Sequence, residues 1–203
     1  MKFHDFYDLF SAEIWASFFR TPEKIAEEFE HFNGHQSALE IGTAEAYIIC
    51  QLVKKEVVSS ATGYDISERR LKRAKQRVDK DGLSERINLY LGDGKNLPFD
   101  DNQFDIVLLP QILEHVPTRR EVIDLLVDSR RVADKGLLVS LPLRDSSNSL
   151  MRWAKYLDPD HIRGLVQYKN GWIYDSVKVE NLFREIGFDF ERSEQNDEFY
   201  SLK

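Results

Sequence analysis

The stretch "SALEIGTAEAY", Ser37 to Tyr47, opens as a short apolar strand and turns at Gly42 into a helix. Nucleotide-binding loops at such a turn carry small residues in the pattern GxGxG, and here the pattern reads Gly42, Ala44, Ala46. If this segment is the first strand-loop-helix unit of a series, the chain is an α/β protein and the loop is its first candidate site.

The downstream sequence supplies the series. Short apolar runs at Ala38 to Ile41, Ala61 to Asp65, Ile87 to Leu91, Phe104 to Leu109 and Gly136 to Leu141 read as strands covered on both faces. Helical punctuation separates them. Ser67 caps a helix whose Leu71, Ala74 and Val78 share a face, with Gly82 as its stop and Ile66 and Leu71 as a hydrophobic staple. Thr118 and Glu121 form a capping box for a helix running to about Val132. Val179, Leu182, Phe183 and Ile186 form a further stripe closed by Gly187. Strands near Phe188 to Glu191 and Glu198 to Leu202 are joined by "RSEQND" and read as an antiparallel hairpin. Ahead of the series, Thr21 caps a helix with Pro22 at its first position, which Asn33-Gly34 breaks.

Parallel strands joined through helices require right-handed crossovers. The expected fold is therefore a Rossmann-like, doubly wound α/β sheet of seven strands, mostly parallel and antiparallel at its C-terminal end, with helices on both faces. At 203 residues with 42% hydrophobic content, one domain is expected over 1–203. It divides into a helical preface (1–36), a core (37–142) and a closing segment (143–203) with a helix and hairpin.

Composition narrows the function. A net charge of -7 disfavours a phosphate-backbone partner. One cysteine, Cys50, excludes an internal disulfide, fits a cytoplasmic setting and leaves no recognisable zinc spacing, so no metal is expected. The opening "MKFHDFYDLFSAEIW" carries acids where a signal core would be apolar, and no run is long enough to span a bilayer, so a soluble protein without a membrane partner is expected.

Ligands of such sheets bind beyond the carboxyl ends of the strands, where strand order reverses. Asp65 ends strand two, slightly further past the loop glycine than the usual interval of about 20 residues, and suits a pair of ribose hydroxyls. Asp93 follows strand three in "LGDGKNLPF", and "LLPQILEHV" follows strand four. Asp65 beside Ser67, and Gly92-Asp93-Gly94, are also ordinary turn sequences, so it is their combination that points to a site.

In order and spacing these segments resemble the class I S-adenosylmethionine-dependent methyltransferases, in particular the small-molecule, methyltransferase type 11-like branch. "ALEIGTAEA" matches the first motif through Glu40 and Gly42 and departs at Ala44 and Ala46. Asp65 matches the second motif's acid, "GDGKNLPF" nearly reproduces the third, and "FDIVLLPQILEHV" matches the strand-four motif. "ADKGLLVSLP" resembles the fifth strand, with Asp134, Lys135 and Gly136 in place of Pro-Gly-Gly.

The resemblance implies S-adenosyl-L-methionine as cofactor, with Glu40, Gly42 and Ala44 at its methionine end. It further implies Asp65 at the ribose, Ile66 on the adenine face, Asp93 and Gly94 at the adenine edge, and Pro110 on the strand-four side. His115 and His161 are the candidate bases, needed only where the acceptor must lose a proton, and His115 reads alternatively as a residue that packs and hydrogen-bonds behind the loop.

The implied activity is methyl transfer to an oxygen, nitrogen or carbon of a small metabolite. The alternative is a noncatalytic binding or regulatory protein on the same fold. Base methylation of nucleic acid is disfavoured, since "LPQI" stands where an Asn/Asp-Pro-Pro-aromatic motif would follow strand four. Trp153, Tyr156, Tyr168, Trp172 and Tyr174 offer aromatic walls for an acceptor or ordinary core packing. Phe3, Phe6, Tyr7, Phe10 and Trp15 offer a second wall or a homodimer contact. For the altered loop, left-handed alanines would cost roughly 1 to 2 kcal/mol each, weakening a site without abolishing it.

Overall fold

The structure is a computed structural model, and it describes residues 21–29, 37–141, 143, 176–194 and 199–203. In chain order the described elements are α1 (Thr21–Phe29), β1 (Ser37–Ile41), α2 (Tyr47–Lys54), β2 (Ser60–Asp65), α3 (Glu68–Lys80) and β3 (Ile87–Leu91). They continue with β4 (Phe104–Pro110), a 3-10 turn (Leu113–His115), α4 (Arg119–Val132), β5 (Ala133–Ser140), α5 (Ser176–Glu185), β6 (Phe190–Arg192) and β7 (Phe199–Leu202). The preface aromatics, Asn33-Gly34, the aromatic segment from Arg144 to Asp175 and His161 lie outside the described residues.

One seven-stranded sheet has the order β3-β2-β1-β4-β5-β7-β6. The first five strands pair in parallel, while β7 pairs antiparallel with both β5 and β6. Strand order reverses between β1 and β4, so the loops after these two strands flank the crevice where ligands of such sheets bind.

Side-chain alternation along β1 sorts the core into two layers. Leu39 and Ile41 join Val107, Leu109, Leu137 and Val139 beneath α4 and α5, where Leu126, Leu182 and Phe183 close the packing. Ala38 joins Ala61, Ile106, Leu108 and Leu138 beneath α2 and α3, where Ile49, Leu52, Ala74 and Val78 close it. This alternation puts Glu40 on the α2 side, a carboxyl group on a face otherwise filled by aliphatic carbon.

The helix ends follow the sequence signals. The Ser67 hydroxyl accepts from the Arg70 amide at 3.3 Å, and the Thr118 hydroxyl accepts from the Glu121 amide at 3.2 Å. The staple expected between Ile66 and Leu71 is not supported, because Ile66 is 72% exposed. At the amino-terminal ends of the strands, Asp105 ties β1, β4 and β5: its carboxylate accepts from the Ser37 amide at 2.9 Å and pairs with Lys135 Nζ at 2.9 Å. Lys135 stands where the family's Pro-Gly-Gly entrance would be, and its ion pair secures the start of β5.

Gly92, just past β3, meets the Tyr64 phenol so closely that an added Cβ would lie 1.7 Å from Oη and 2.3 Å from Cζ. Gly92→Ala should therefore destabilise the protein by about 1 to 3 kcal/mol in urea unfolding. Tyr64→Phe in the same chain should restore only part of the loss, since the ring carbon still collides.

Candidate cofactor site

The loop after β1 turns through three left-handed residues: Gly42 (φ 78°), Ala44 (φ 50°) and Ala46 (φ 56°). Only glycine adopts this conformation without steric cost, so the two alanines keep the backbone of a glycine loop under strain of order 1 to 2 kcal/mol each. The loop is held accordingly. The Gly42 and Thr43 amides both donate to the Tyr64 carbonyl, at 2.8 and 3.1 Å, and the Ala46 amide donates to the Thr43 carbonyl at 2.8 Å.

Asp65, at the end of β2, is buried and supplies a further tie. One carboxylate oxygen accepts from the Ala44 amide at 2.8 Å and the other from the Ser67 amide at 2.8 Å. The carboxylate thus joins the loop after β1 to the first turn of α3. Each oxygen has a second lone pair, which leaves capacity to accept from a ligand hydroxyl.

Glu40 lies beneath the loop at 1% exposure. It accepts the Thr43 hydroxyl at 2.6 Å and a hydrogen bond from the Ile49 amide in the first turn of α2. Ala46, the N-cap of that helix, makes no side-chain cap bond, so Glu40 serves an otherwise uncapped end. Burial, with the charge of Asp65 adding to it, pushes the Glu40 pKa from 4.5 up to about 8, against the opposing hydrogen bonds of Thr43 and Ile49.

Past β2 the crevice changes character. Ile66 and Leu91 are 72% and 58% exposed, two large apolar side chains at the carboxyl ends of adjacent strands. Asp93 is exposed, and one of its oxygens accepts from the Lys95 amide at 3.0 Å. Gly94 follows at φ 76°. On the other side of β1, Pro110 is half-buried beside Ser140 of β5, and the Gln111 amide donates to the Ser140 carbonyl at 3.0 Å. Ile112 packs over Gly42, where an added Cβ would come within 2.6 Å of its Cδ1.

His115 ends the 3-10 turn after β4. His115 is an exposed residue, and partial desolvation followed by the positive charge of Arg70 lowers its pKa. Arg70, the source of that charge, comes from α3, which follows β2.

The structure thus brings Glu40, Gly42, Ala44 and Asp65 together in one bonded unit. It sets Ile66, Asp93 and Gly94 on one side of that unit and Pro110 and His115 on the other. Sequence reasoning did not single out Thr43, Glu45, Arg73 or Arg77. Glu45 is 8% exposed; its carboxylate accepts from Arg73 at 3.0 Å and its carbonyl from Arg77 Nε at 3.0 Å. The four-residue spacing of the two arginines along α3 was visible, but not the loop they reach.

A doubly wound sheet with a left-handed small-residue loop at its reversal point and acids after the next two strands defines a nucleoside-cofactor domain. Comparison with known proteins specifies the class. Residues 39–139 match the family model described as a methyltransferase domain. Norajmaline N-methyltransferase of Rauvolfia serpentina is 31% identical over 111 residues, covering 55% of this chain and 37% of that protein. A ubiquinone/menaquinone biosynthesis C-methyltransferase of Cereibacter sphaeroides is 30% identical over 120 residues, covering 59% and 47%. The chain therefore matches about half or less of these curated relatives' length. A methyltransferase structure from Aquifex aeolicus shares the fold, with a TM-score of 0.64 at 18% identity over 89% of this chain and 88% of that one. The chain belongs to the class I S-adenosylmethionine-dependent methyltransferases.

Two outcomes follow from this geometry. Asp65→Ala strands the buried Ala44 amide and loosens the loop, so S-adenosylhomocysteine affinity should fall at least tenfold in calorimetry, with stability lowered by about 1 to 3 kcal/mol. Glu40 gives opposite signs for stability and binding. The folded state holds its proton more tightly than the unfolded state, so its contribution to stability is complete below about pH 4.5 and is lost as pH rises through about 8. An amino-acid ammonium prefers the ionised carboxylate, so affinity for S-adenosylhomocysteine should rise with pH toward about 8. Glu40→Gln should flatten that rise in calorimetry at successive pH values.

Proposed function

We propose that the protein transfers the methyl group of S-adenosyl-L-methionine to an oxygen, nitrogen or carbon of a small-molecule acceptor. The observation that carries this reading is the loop itself: a glycine-loop backbone is kept at the sheet's reversal point although alanines occupy two of its three left-handed positions. Strain of this kind persists where surrounding contacts over-determine the conformation, and it concentrates at functional sites.

The described residues suit this cofactor. It carries no pyrophosphate, so a loop with two methyl groups need not admit a bulky diphosphate. Ile66 offers an exposed apolar platform for adenine, Asp93 a carboxylate for its amino group, and the backbone at Gly94 a contact for its ring nitrogen. Asp65 retains acceptor capacity for ribose hydroxyls, and Glu40 an acidic group near the methionine ammonium. When bound, S-adenosyl-L-methionine supplies a methyl group already activated on a sulfonium.

The remaining task of the protein is positioning. The pairing of β1 with β4 holds the loop at Gly42 beside Pro110 and Ile112, and His115, whose pKa is lowered, is the candidate to accept a proton from an acceptor that must lose one. His161 keeps the same candidacy from its place in the sequence. We infer one domain over 1–203 in a cytoplasmic setting, supported by the single cysteine, and no nucleic-acid partner, supported by the net charge of -7. A homodimer through the preface remains part of the proposal. Among the described residues no helix is long and apolar enough to cross a membrane.

Calorimetry should show one S-adenosylmethionine site per chain, and an acceptor screen with methyl-labelled cofactor should show turnover. Binding without turnover across the screen would favour the noncatalytic alternative, and no binding would overturn the cofactor assignment.

A further inference from the structure

We infer that Arg73 and Arg77 of α3 are positioning residues of the cofactor loop, holding Glu45 so that Ala44 and Ala46 stay in the left-handed backbone that glycines would adopt unaided. The inference rests on the reading of this loop as the cofactor site and names what keeps it formed.

Glu45 stands between the two strained alanines and is fixed from both ends. Its side chain is only 10% exposed and pairs with Arg73, while its carbonyl accepts from Arg77. The Arg77 guanidinium also lies over the Tyr47 ring, 5.4 Å from its centroid. One side chain therefore grips residues 45 and 47 and brackets Ala46. Ala46 is fully enclosed in the core beneath α2, and its φ of 56° begins a helix with no side-chain cap of its own.

On the other flank, Ala44 is held through its amide by Asp65. Each left-handed alanine is thus bounded by a tether from the β2 to α3 segment. Relaxation of either alanine to an ordinary backbone would move Glu45 away from Arg73, leaving a buried carboxylate without its cation, which opposes the relaxation.

A glycine loop has no such need, because its left-handed conformation costs nothing relative to the alternatives. The prediction is therefore one of coupling. Losing the arginines should matter when residues 44 and 46 are alanine and matter little when they are glycine. Glycine's extra unfolded-chain entropy enters both halves of the comparison and cancels.

The test is a double-mutant cycle on the full chain. Arg73→Met with Arg77→Met forms one arm, Ala44→Gly with Ala46→Gly the other, and S-adenosylhomocysteine affinity and melting temperature are read in all four proteins. The expected result is a loss of about tenfold in affinity for the arginine pair alone and of threefold or less in the glycine background. Arg73→Gln, a milder change at a half-exposed side chain, should show the same suppression at smaller size should the double variant fail to fold.

Equal losses in both backgrounds would overturn the inference and leave the arginines as general supports of the fold. Unchanged affinity in the arginine variants would overturn it as well. If the parent protein binds no S-adenosylhomocysteine, the functional reading fails instead; melting temperatures then carry the cycle, and additive losses overturn the tether.

Discussion

The Asp65 carboxylate, which receives the Ala44 amide on one oxygen and the Ser67 amide on the other, is the contact on which the rest of the crevice depends. It lies where three requirements meet: β2 must end, α3 must begin, and the loop from β1 must double back left-handed. A backbone amide buried away from water needs a partner, and at this turn the regular ladder has already ended. A carboxylate meets the need for two separate segments at once. Glu40 does the equivalent below, bonding Thr43 within the loop and Ile49 at the head of α2.

The two acids are held differently, with consequences for chemistry. Asp65 sits against two donated amides, while Glu40 faces aliphatic core and the charge of Asp65, so its proton is retained well above the usual range. Ionising Glu40 costs desolvation that a cationic ligand group can offset, so the apo loop and the ligand compete to settle the same carboxyl. The strained alanines, the buried acids and the two arginines are joined by hydrogen bonds and an ion pair into one connected unit.

Much of the fold was legible because it rests on local physics. Short apolar runs separated by capped amphipathic helices require a parallel, doubly wound sheet, and strands β1 to β4 lie within a residue or two of where the pattern placed them. β5 begins at Ala133, ahead of the Gly136 expected from apolarity, because Lys135 pairs with Asp105 across the strands and lets a polar start join the ladder. β6 begins at Phe190, after Gly187 and the turn that follows α5. Ile66 was expected to staple α3, yet it faces solvent, because a helical spacing marks which residues share a face and not whether anything covers that face.

The sequence by itself determined the class of fold, the order of the motifs and the identity of the acids at the strand ends, since each follows from periodicity, capping chemistry and spacing along the chain. Only the tertiary structure decided what those acids touch. That Asp65 holds the Ala44 amide, that Glu40 retains its proton, and that Arg73 and Arg77 reach Glu45 all depend on segments about 20 to 30 residues apart meeting at the carboxyl ends of β1 and β2. Whether Ala44 and Ala46 are left-handed was equally unreadable, because backbone handedness at a non-glycine residue is imposed by such distant contacts against the residue's own preference.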